Sequence, residues 1–255
     1  MDGSYPLVAG AALVAGAANA IAGGGSLLSF PALVAAGLPS VAASVTNTVA
    51  LCPGYFGATI AQRGQLVGQG KRMAMLVPVA IAGGLAGAGL LLGLGEAAFD
   101  VVVPWLLLVA ALLLGFQERI KRALTGDRGV VHGVRTVGVA LAVVGASVYG
   151  GYFGAGMGVI VLAAIAVVLD DDLVRLNALK QVVTLAVNVA AAIVFVFSSE
   201  IDWTLVGVMA AASLVGGAIG GRIASRVKPA VLRAVVVTVA CGVSAYYFAR
   251  WFGWL

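Results

Sequence analysis

The chain consists mainly of apolar segments about as long as a membrane-spanning helix, separated by short polar segments. A helix needs about 20 apolar residues to cross the hydrocarbon core of a bilayer. Six segments meet this requirement and predict full spans at 42–61, 73–94, 101–118, 177–197, 203–221 and 229–250. Two further apolar regions, 7–37 and 133–169, are too long for one span and are interrupted by glycines. They predict two helical hairpins, each with a short second arm.

Charged residues fall mainly in the connecting segments and predict the orientation of the spans. Lys and Arg concentrate in the loops 62–72, 119–135 and 222–228, whereas the loops near 96–100 and 200–202 carry acids alone. Cytoplasmic loops of membrane proteins carry an excess of Lys and Arg. With the basic loops in the cytoplasm, the full spans alternate in direction. Each glycine-broken hairpin then enters and leaves the membrane on one face.

This order of elements predicts an all-α integral membrane protein built from two repeats. Each repeat is a glycine-broken helical hairpin plus three transmembrane helices, and the odd number of full crossings makes the repeats inverted. An offset of 133 residues lays Gly23 on Gly156 and Asn47 on Lys180. The single transmembrane domain then divides into a first membrane repeat (1–118), a cytoplasmic basic linker (119–132) and a second membrane repeat (133–255). Many secondary transporters have this plan, with substrate bound near the midplane.

The composition agrees with a membrane protein and excludes several other classes. The 255 residues are 62% hydrophobic and only 10% charged, whereas soluble chains are roughly a quarter charged. This excludes a cytosolic enzyme and a disordered protein, and the continuous apolar runs exclude an outer-membrane barrel. The net charge of +5 arises from the loops, so it indicates orientation and no nucleic-acid partner.

Residues with catalytic or metal-binding chemistry are scarce. The single histidine, His132, lies in the basic linker, and the two cysteines form no CxxC motif. No GxxxxGK[ST] motif for ATP is present. We therefore expect no enzyme activity, no metal and no cofactor. Every Asp and Glu lies in or beside a loop, so no carboxylate relay for protons is evident within the membrane.

The hairpin glycines are the first candidates for a substrate site. A half-helix that begins inside the membrane presents unpaired backbone N–H groups and a positive dipole end, which together bind anions. The alternative is that glycines permit tight helix packing, which we favour for the pairs Gly83–Gly87 and Gly217–Gly221. The candidate anion cradles are formed by Gly23, Gly24, Gly25 and Ser26 in the first hairpin, and by Gly154, Gly156 and Gly158 in the second.

The helix that begins near 177 carries a second set of candidates. Asn177, Gln181, Thr184 and Asn188 share one helical face, with Lys180 beside them. Polar side chains inside a span are costly and usually face a cavity or one another. Lys180 could therefore neutralise a bound oxyanion. The alternative is that its long side chain extends to the cytoplasmic interface.

The first repeat carries matching polar residues. Thr46 and Asn47 lie early in the span 42–61, and Asn19 precedes the first glycine break. Their amide and hydroxyl groups suit an anion that must be both bound and released. The alternatives are helix capping for Asn47 and a hydrogen bond between helices for Asn19. Together with the hairpin tips and the polar face near 177, these residues form the predicted substrate site.

Four segments rich in glycine and asparagine carry the most distinctive motifs of the chain. They are residues 19–31, 46–51, 152–158 and 177–180. In combination they resemble the two halves of TauE/SafE family proteins, and the resemblance covers nearly the whole chain. The second half departs from the family pattern because Met157 interrupts the glycine run and Ala164 stands where the repeat would place Pro31. We therefore expect the second hairpin to break differently from the first.

The resemblance implies a function. It implies a secondary transporter that exports a small sulfur-containing anion, such as sulfite or an organosulfonate, by alternating access around a midplane site. The substrate and the lipid bilayer are then the partners, and the protein is a multi-pass protein of the bacterial inner membrane. An anion channel, an importer of thiosulfate-like anions and a membrane scaffold without transport remain alternatives. Whether the chain forms a homo-oligomer stays open.

Overall fold

The computed structural model is helical throughout the parts that it describes, which are residues 4–116, 119, 136–166, 169, 171–199, 201–226 and 230–251. Most of the predicted linker, His132 included, lies outside these residues. In chain order, the described helices are α1 (Tyr5–Ile21), α2 (Ser26–Ala35), α3 (Ser40–Ala61), α4 (Gly70–Gly115), α5 (Thr136–Tyr152), α6 (Met157–Ala166), α7 (Leu173–Ser198), α8 (Trp203–Ile223) and α9 (Ala230–Trp251). The all-α class predicted from the sequence is confirmed.

Within these ranges, three helices are long and apolar enough to cross a membrane: α4, α7 and α8. The helices α7 and α8 coincide with the predicted spans 177–197 and 203–221. The 22-residue helices α3 and α9 occupy the positions of the predicted spans 42–61 and 229–250. The protein therefore has the helical segments of a multi-pass membrane protein.

The helix α4 contains two predicted spans and folds back at Gly95, where the backbone leaves the helical region (φ 71°, ψ −175°). A straight helix of 46 residues would be about 69 Å long. At one end, however, Gln69 donates a hydrogen bond to the Arg175 carbonyl at the start of α7. At the other end, Leu114 packs against Gly24, in the hairpin that itself contacts α7. The first arm (70–94) and the second arm (96–115) therefore lie side by side, joined without the predicted loop.

Both predicted hairpin breaks are present. Four residues separate α1 from α2, and four separate α5 from α6. The second arms, α2 and α6, have 10 residues each, which is about half of the length needed to cross the bilayer. Met157 is the first residue of α6, so the departure from the family motif does not change the length of the break. The left-handed glycines of the breaks are Gly23, Gly24, Gly154 and Gly156.

The two repeats align with a small change of offset between their parts. The starts of α3 (Ser40) and α7 (Leu173) differ by the predicted 133 residues, whereas the starts of α2 (Ser26) and α6 (Met157) differ by 131. The structure therefore shifts the predicted alignment of the breaks by two residues. The alignment of the following helices keeps Asn47 opposite Lys180.

Glycines hold several helices at backbone contact. A Cβ atom at Gly217 of α8 would lie 2.0 Å from the Gly54 carbonyl oxygen of α3, and one at Gly151 of α5 would lie 2.3 Å from the Gly84 oxygen of α4. No side chain fits at such crossings, so only glycine allows these helices to approach. The predicted packing role is confirmed for Gly83, Gly87, Gly217 and Gly221.

Candidate functional site

Lys180 lies on the second turn of α7 and is fully buried, with 0% of its surface exposed. Its Nζ atom donates a hydrogen bond to the Asn19 carbonyl oxygen at 3.0 Å. The side chain therefore points to the end of α1 and does not reach the membrane interface. In the described part of the chain it forms no ion pair, because the ion pairs of Asp171 involve Arg72 and Arg175.

Asn19 connects α1, α2 and α7. Its carbonyl oxygen accepts hydrogen bonds from Lys180 and from Nε2 of Gln181, both at 3.0 Å. Its side-chain Oδ1 accepts a hydrogen bond from the backbone N–H of Gly25 at 2.7 Å. The side chain therefore spans the first break and pairs an N–H group that the start of α2 would leave unpaired. The predicted importance of Asn19 thus has a structural basis.

The two hairpin tips meet beside Lys180. A Cβ atom at Gly23 would lie 3.1 Å from the Val159 nitrogen, and one at Gly158 would lie 3.5 Å from Cδ of Lys180. Glycine at these positions lets the two breaks approach each other and the lysine side chain. The structure thus brings together the tips that the sequence placed in one site.

The predicted anion cradle of the first hairpin forms internal hydrogen bonds in this conformation. The Gly25 N–H is bound by the Asn19 side chain. The N–H groups of Leu27 and Leu28 donate to the carbonyls of Gly24 and Gly25. Recognition of an anion in this conformation would therefore depend on side chains, Lys180 above all, more than on these amides.

The second break is stabilised in a similar way. The N–H groups of Met157 and Val159 donate to the carbonyls of Gly154 and Gly156. Gly156 faces Ala110 in the second arm of α4. Gly154 and Gly156 therefore shape the turn, whereas Gly158 contacts Lys180.

The polar candidates of the first repeat lie around the short helix α2. Ser29 of α2 donates a hydrogen bond to Oδ1 of Asn47 at 2.6 Å, and Ser26 forms a side-chain hydrogen bond with Tyr55. Asn47 and Thr46 are buried inside α3, which begins at residue 40 without a side-chain cap. The capping interpretation of Asn47 is therefore wrong, and its amide instead ties α2 to α3.

The remaining candidates of α7 bond to their own helix. Thr184 donates to the carbonyls of Lys180 and Gln181, and Asn188 donates to the carbonyl of Thr184. Thr184, Asn188 and Gln181 are buried, and Asn177 is partly buried. The polar face therefore extends into the molecule from the site of Lys180.

Two residues that the sequence did not single out support the breaks. Gln62, just after α3, accepts a hydrogen bond from Asn177 at 2.9 Å. The Tyr149 hydroxyl donates to the Ala155 carbonyl at 2.5 Å, across the second break as Asn19 acts across the first. Both contacts span six residues, which is a signal that a search of polar residues before each break could have found.

Four aromatic side chains pack between the hairpins and α4. Phe153 lies 5.3 Å from Phe30 and 5.9 Å from Phe99 between ring centroids, and Tyr152 lies 5.5 Å from Phe99. All three pairs have the edge-to-face geometry that aromatic rings favour. We call these four residues the aromatic cluster. Phe99 lies one turn after the bend of α4 at Gly95.

A charged cluster closes the opposite end of the first arm of α4. Asp171 forms ion pairs with Arg72 and Arg175, and Arg175 also donates to the Val67 carbonyl at 3.0 Å. The Arg72 guanidinium, which donates a hydrogen bond to Asp171, holds the pKa of that carboxyl below its ordinary value. The interpretation of this acidic run as a solvated loop is therefore wrong for Asp171. Asp170 lies outside the described residues.

A cavity of about 680 Å³ opens near the turn between α2 and α3. Its lining includes Glu96, Asp100 and Tyr247. The Glu96 carboxylate accepts a hydrogen bond from the Val41 N–H at 3.1 Å and so stabilises the start of α3. The acidic lining makes this cavity unfavourable for an anion.

Comparison with known proteins agrees with this architecture. Residues 8–247 match the family model described as sulfite exporter TauE/SafE. The chain is 26% identical over 211 residues to the "Probable membrane transporter protein YfcA" of Escherichia coli (strain K12), covering 80% of this chain and 75% of that protein. It is 29% identical over 205 residues to a "Probable membrane transporter protein" of Haemophilus influenzae, covering 80% and 78%. No solved structure is significantly similar. The chain therefore belongs to the sulfite exporter TauE/SafE family of membrane proteins.

Proposed function

We propose that this protein is a secondary transporter that exports a small sulfur-containing anion, such as sulfite or an organosulfonate, across the bacterial inner membrane. Family membership and the transporters among its relatives support membrane transport, and the family description supports the substrate class. The observation that carries the proposal is the full burial of Lys180 beside both glycine breaks. The other candidate residues of both repeats surround this position.

The proposal follows from the cost of a buried charge. An ammonium group that is removed from water without a counter-charge is strongly unfavourable. Lys180 has one described hydrogen bond, to the Asn19 carbonyl, and an ammonium can donate three. A bound oxyanion would supply both the missing charge and the missing acceptors. In the absence of substrate, the carbonyl end of α1 holds the lysine.

We further infer that the two repeats are inverted and rock around this site. The first helix of each repeat packs against the fourth element of the other: α1 against α8, and α5 against the first arm of α4. The closest contacts recur with the offset of 133 residues, since Gly217 meets Gly54 and Gly84 meets Val187. Reciprocal packing of this kind is expected of repeats that are related by a two-fold axis.

Closure at both ends favours a carrier over an open pore. The ion pairs of Asp171 lie at the start of the first arm of α4, beside the basic loop 62–72. The aromatic cluster lies near Gly95, at the other end of that arm. With the basic loops in the cytoplasm, as proposed from the charge pattern, Lys180 is enclosed between a cytoplasmic and an outer closure. Alternating access would open one closure at a time.

The test is flux through the purified protein in liposomes, measured for sulfite, thiosulfate and sulfate with and without a pH gradient. We expect saturable sulfite flux that falls at least about tenfold in Lys180→Met, because one lost charged interaction corresponds to that factor. The matched control is Lys71→Ala, which removes an exposed lysine near the start of α4.

Three results would count against the proposal. Unchanged flux in Lys180→Met would remove the lysine from the site. Very fast flux that does not saturate would replace the carrier with a channel. Absence of flux for every sulfur anion, from protein shown to be folded, would bring forward the scaffold or another substrate class.

A further inference from the structure

Three side-chain amides surround the carbonyl end of α1. Nε2 of Gln181 donates to the carbonyls of Asn19 and Ala20, both at 3.0 Å. Nδ2 of Asn177 donates to the Ala20 carbonyl at 3.1 Å and to Oε1 of Gln62 at 2.9 Å. We call Gln62, Asn177 and Gln181 the amide collar.

The orientation of two of these amides is fixed by chemistry. A carbonyl oxygen can only accept, so the NH₂ group of each amide must face it. Turning Gln181 over would bring its own oxygen against two backbone oxygens. The same argument holds for Asn177, because Gln62 directs its Nε2 to Ala20 and so offers its oxygen to Asn177.

This orientation leaves two acceptors without a donor. Oδ1 of Asn177 and Oε1 of Gln181 are buried and have no hydrogen-bond partner. The two residues are four positions apart on α7 and therefore share one face. Gln181 is fully buried, and it contacts the same Asn19 carbonyl as Lys180. Buried polar atoms nearly always have partners, so this pair of oxygens indicates a donor that binds beside the lysine.

We propose that the oxygens of Asn177 and Gln181 bind an O–H or N–H group of the substrate, while Lys180 binds its charged end. The inference rests on the proposed function and specifies the substrate class. The preferred substrate is a small sulfonate or related anion that carries its own hydrogen-bond donor. A bare oxyanion offers only acceptors, so it pairs with Lys180 but is repelled by the two amide oxygens.

The experiment compares two probes that differ by one hydroxyl group, 2-hydroxyethanesulfonate and ethanesulfonate, binding to the purified full chain by calorimetry. We expect the hydroxyl compound to bind at least about tenfold more tightly. In Gln181→Met and Asn177→Leu, the ratio of the two affinities should fall towards one, while ethanesulfonate still binds. Thr59→Val is the control, because Thr59 bonds to its own helix at Tyr55.

The outcomes separate this inference from the proposed function. Equal affinities in the unaltered protein would overturn the inference and leave the anion transporter standing, even if the variants fail to fold. Absence of binding for both probes and for sulfite would overturn the function itself. If binding depended on Na⁺ in place of choline and the collar variants lost that dependence, the two oxygens would bind a cation and the inference would be wrong.

Discussion

Among single residues, Lys180 shows how a function can oppose stability. A buried charge without a counter-charge destabilises the folded state, and replacing it with an apolar side chain of similar length is often neutral or stabilising. We therefore expect Lys180→Met to keep or raise the thermal unfolding midpoint in detergent while sulfite no longer raises it. A large fall in the midpoint would instead indicate that the lysine is a structural residue that caps α1.

Asn19 and Tyr149 should act on stability through the breaks that they span. Asn19→Ala leaves the buried Gly25 N–H without its acceptor, which costs about 1–3 kcal/mol. Tyr149→Phe removes one hydrogen bond to Ala155, which costs about 1 kcal/mol. Thermal unfolding measures both effects, with the exposed Tyr246→Phe as control. Equal midpoints for Asn19→Ala and the unaltered chain would contradict a role for this side chain in the break.

The sequence could identify residues whose burial is costly, but it could not identify their partners. Lys180 and Asn19 stand out because they interrupt apolar runs. Gln62 borders a polar loop and Tyr149 lies in an apolar helix, so each resembles an ordinary residue of its surroundings. Their roles depend on contacts with Asn177 and Ala155, which only the folded chain defines.

At the scale of helices, backbone contact at glycine sets the packing. A Cβ atom at Gly217 would meet the Gly54 oxygen at 2.0 Å, whereas Gly89 of α4 has no atom within 4 Å of the corresponding position. We expect Gly217→Ala to separate α8 from α3 and to destabilise the protein by about 1–3 kcal/mol or more. Gly89→Ala should be neutral or slightly stabilising, since alanine favours helix. Size-exclusion profiles and unfolding midpoints measure both, and equal effects would refute the packing argument.

The glycine pattern predicted which helices break but not how sharply each one turns. Both hairpin breaks coincide with glycine clusters that interrupt apolar runs. The loop expected between the spans 73–94 and 101–118 is absent, because Gly95 alone adopts the left-handed conformation that reverses α4. Several glycines precede this position, and a sequence does not show which one takes the positive φ.

For the whole molecule, the charged closure has a defined response to pH. Arg72 lowers the pKa of Asp171, so the stabilisation by this carboxylate is complete above its ordinary pKa and is lost as the pH falls through the lowered value. Transport between pH 5 and 9 should therefore not depend on titration of Asp171. We expect Asp171→Asn to shift the rate of sulfite flux equally at every pH in this range. A change in the shape of the pH profile would contradict this expectation.

The two proposed closures lead to a test of alternating access in the whole protein. In a background with Cys52→Ala and Cys241→Ala, Thr184→Cys places a thiol in the buried polar face beside Lys180. Asp171→Asn weakens the closure at the basic loops, and Phe30→Ala weakens the aromatic cluster. Each should raise the rate of reaction with a membrane-impermeant thiol reagent, by about two- to fivefold for the ion pairs, and from opposite sides of oriented vesicles. Because a carrier exposes its site to one side at a time, acceleration of both variants from the same side would refute the arrangement.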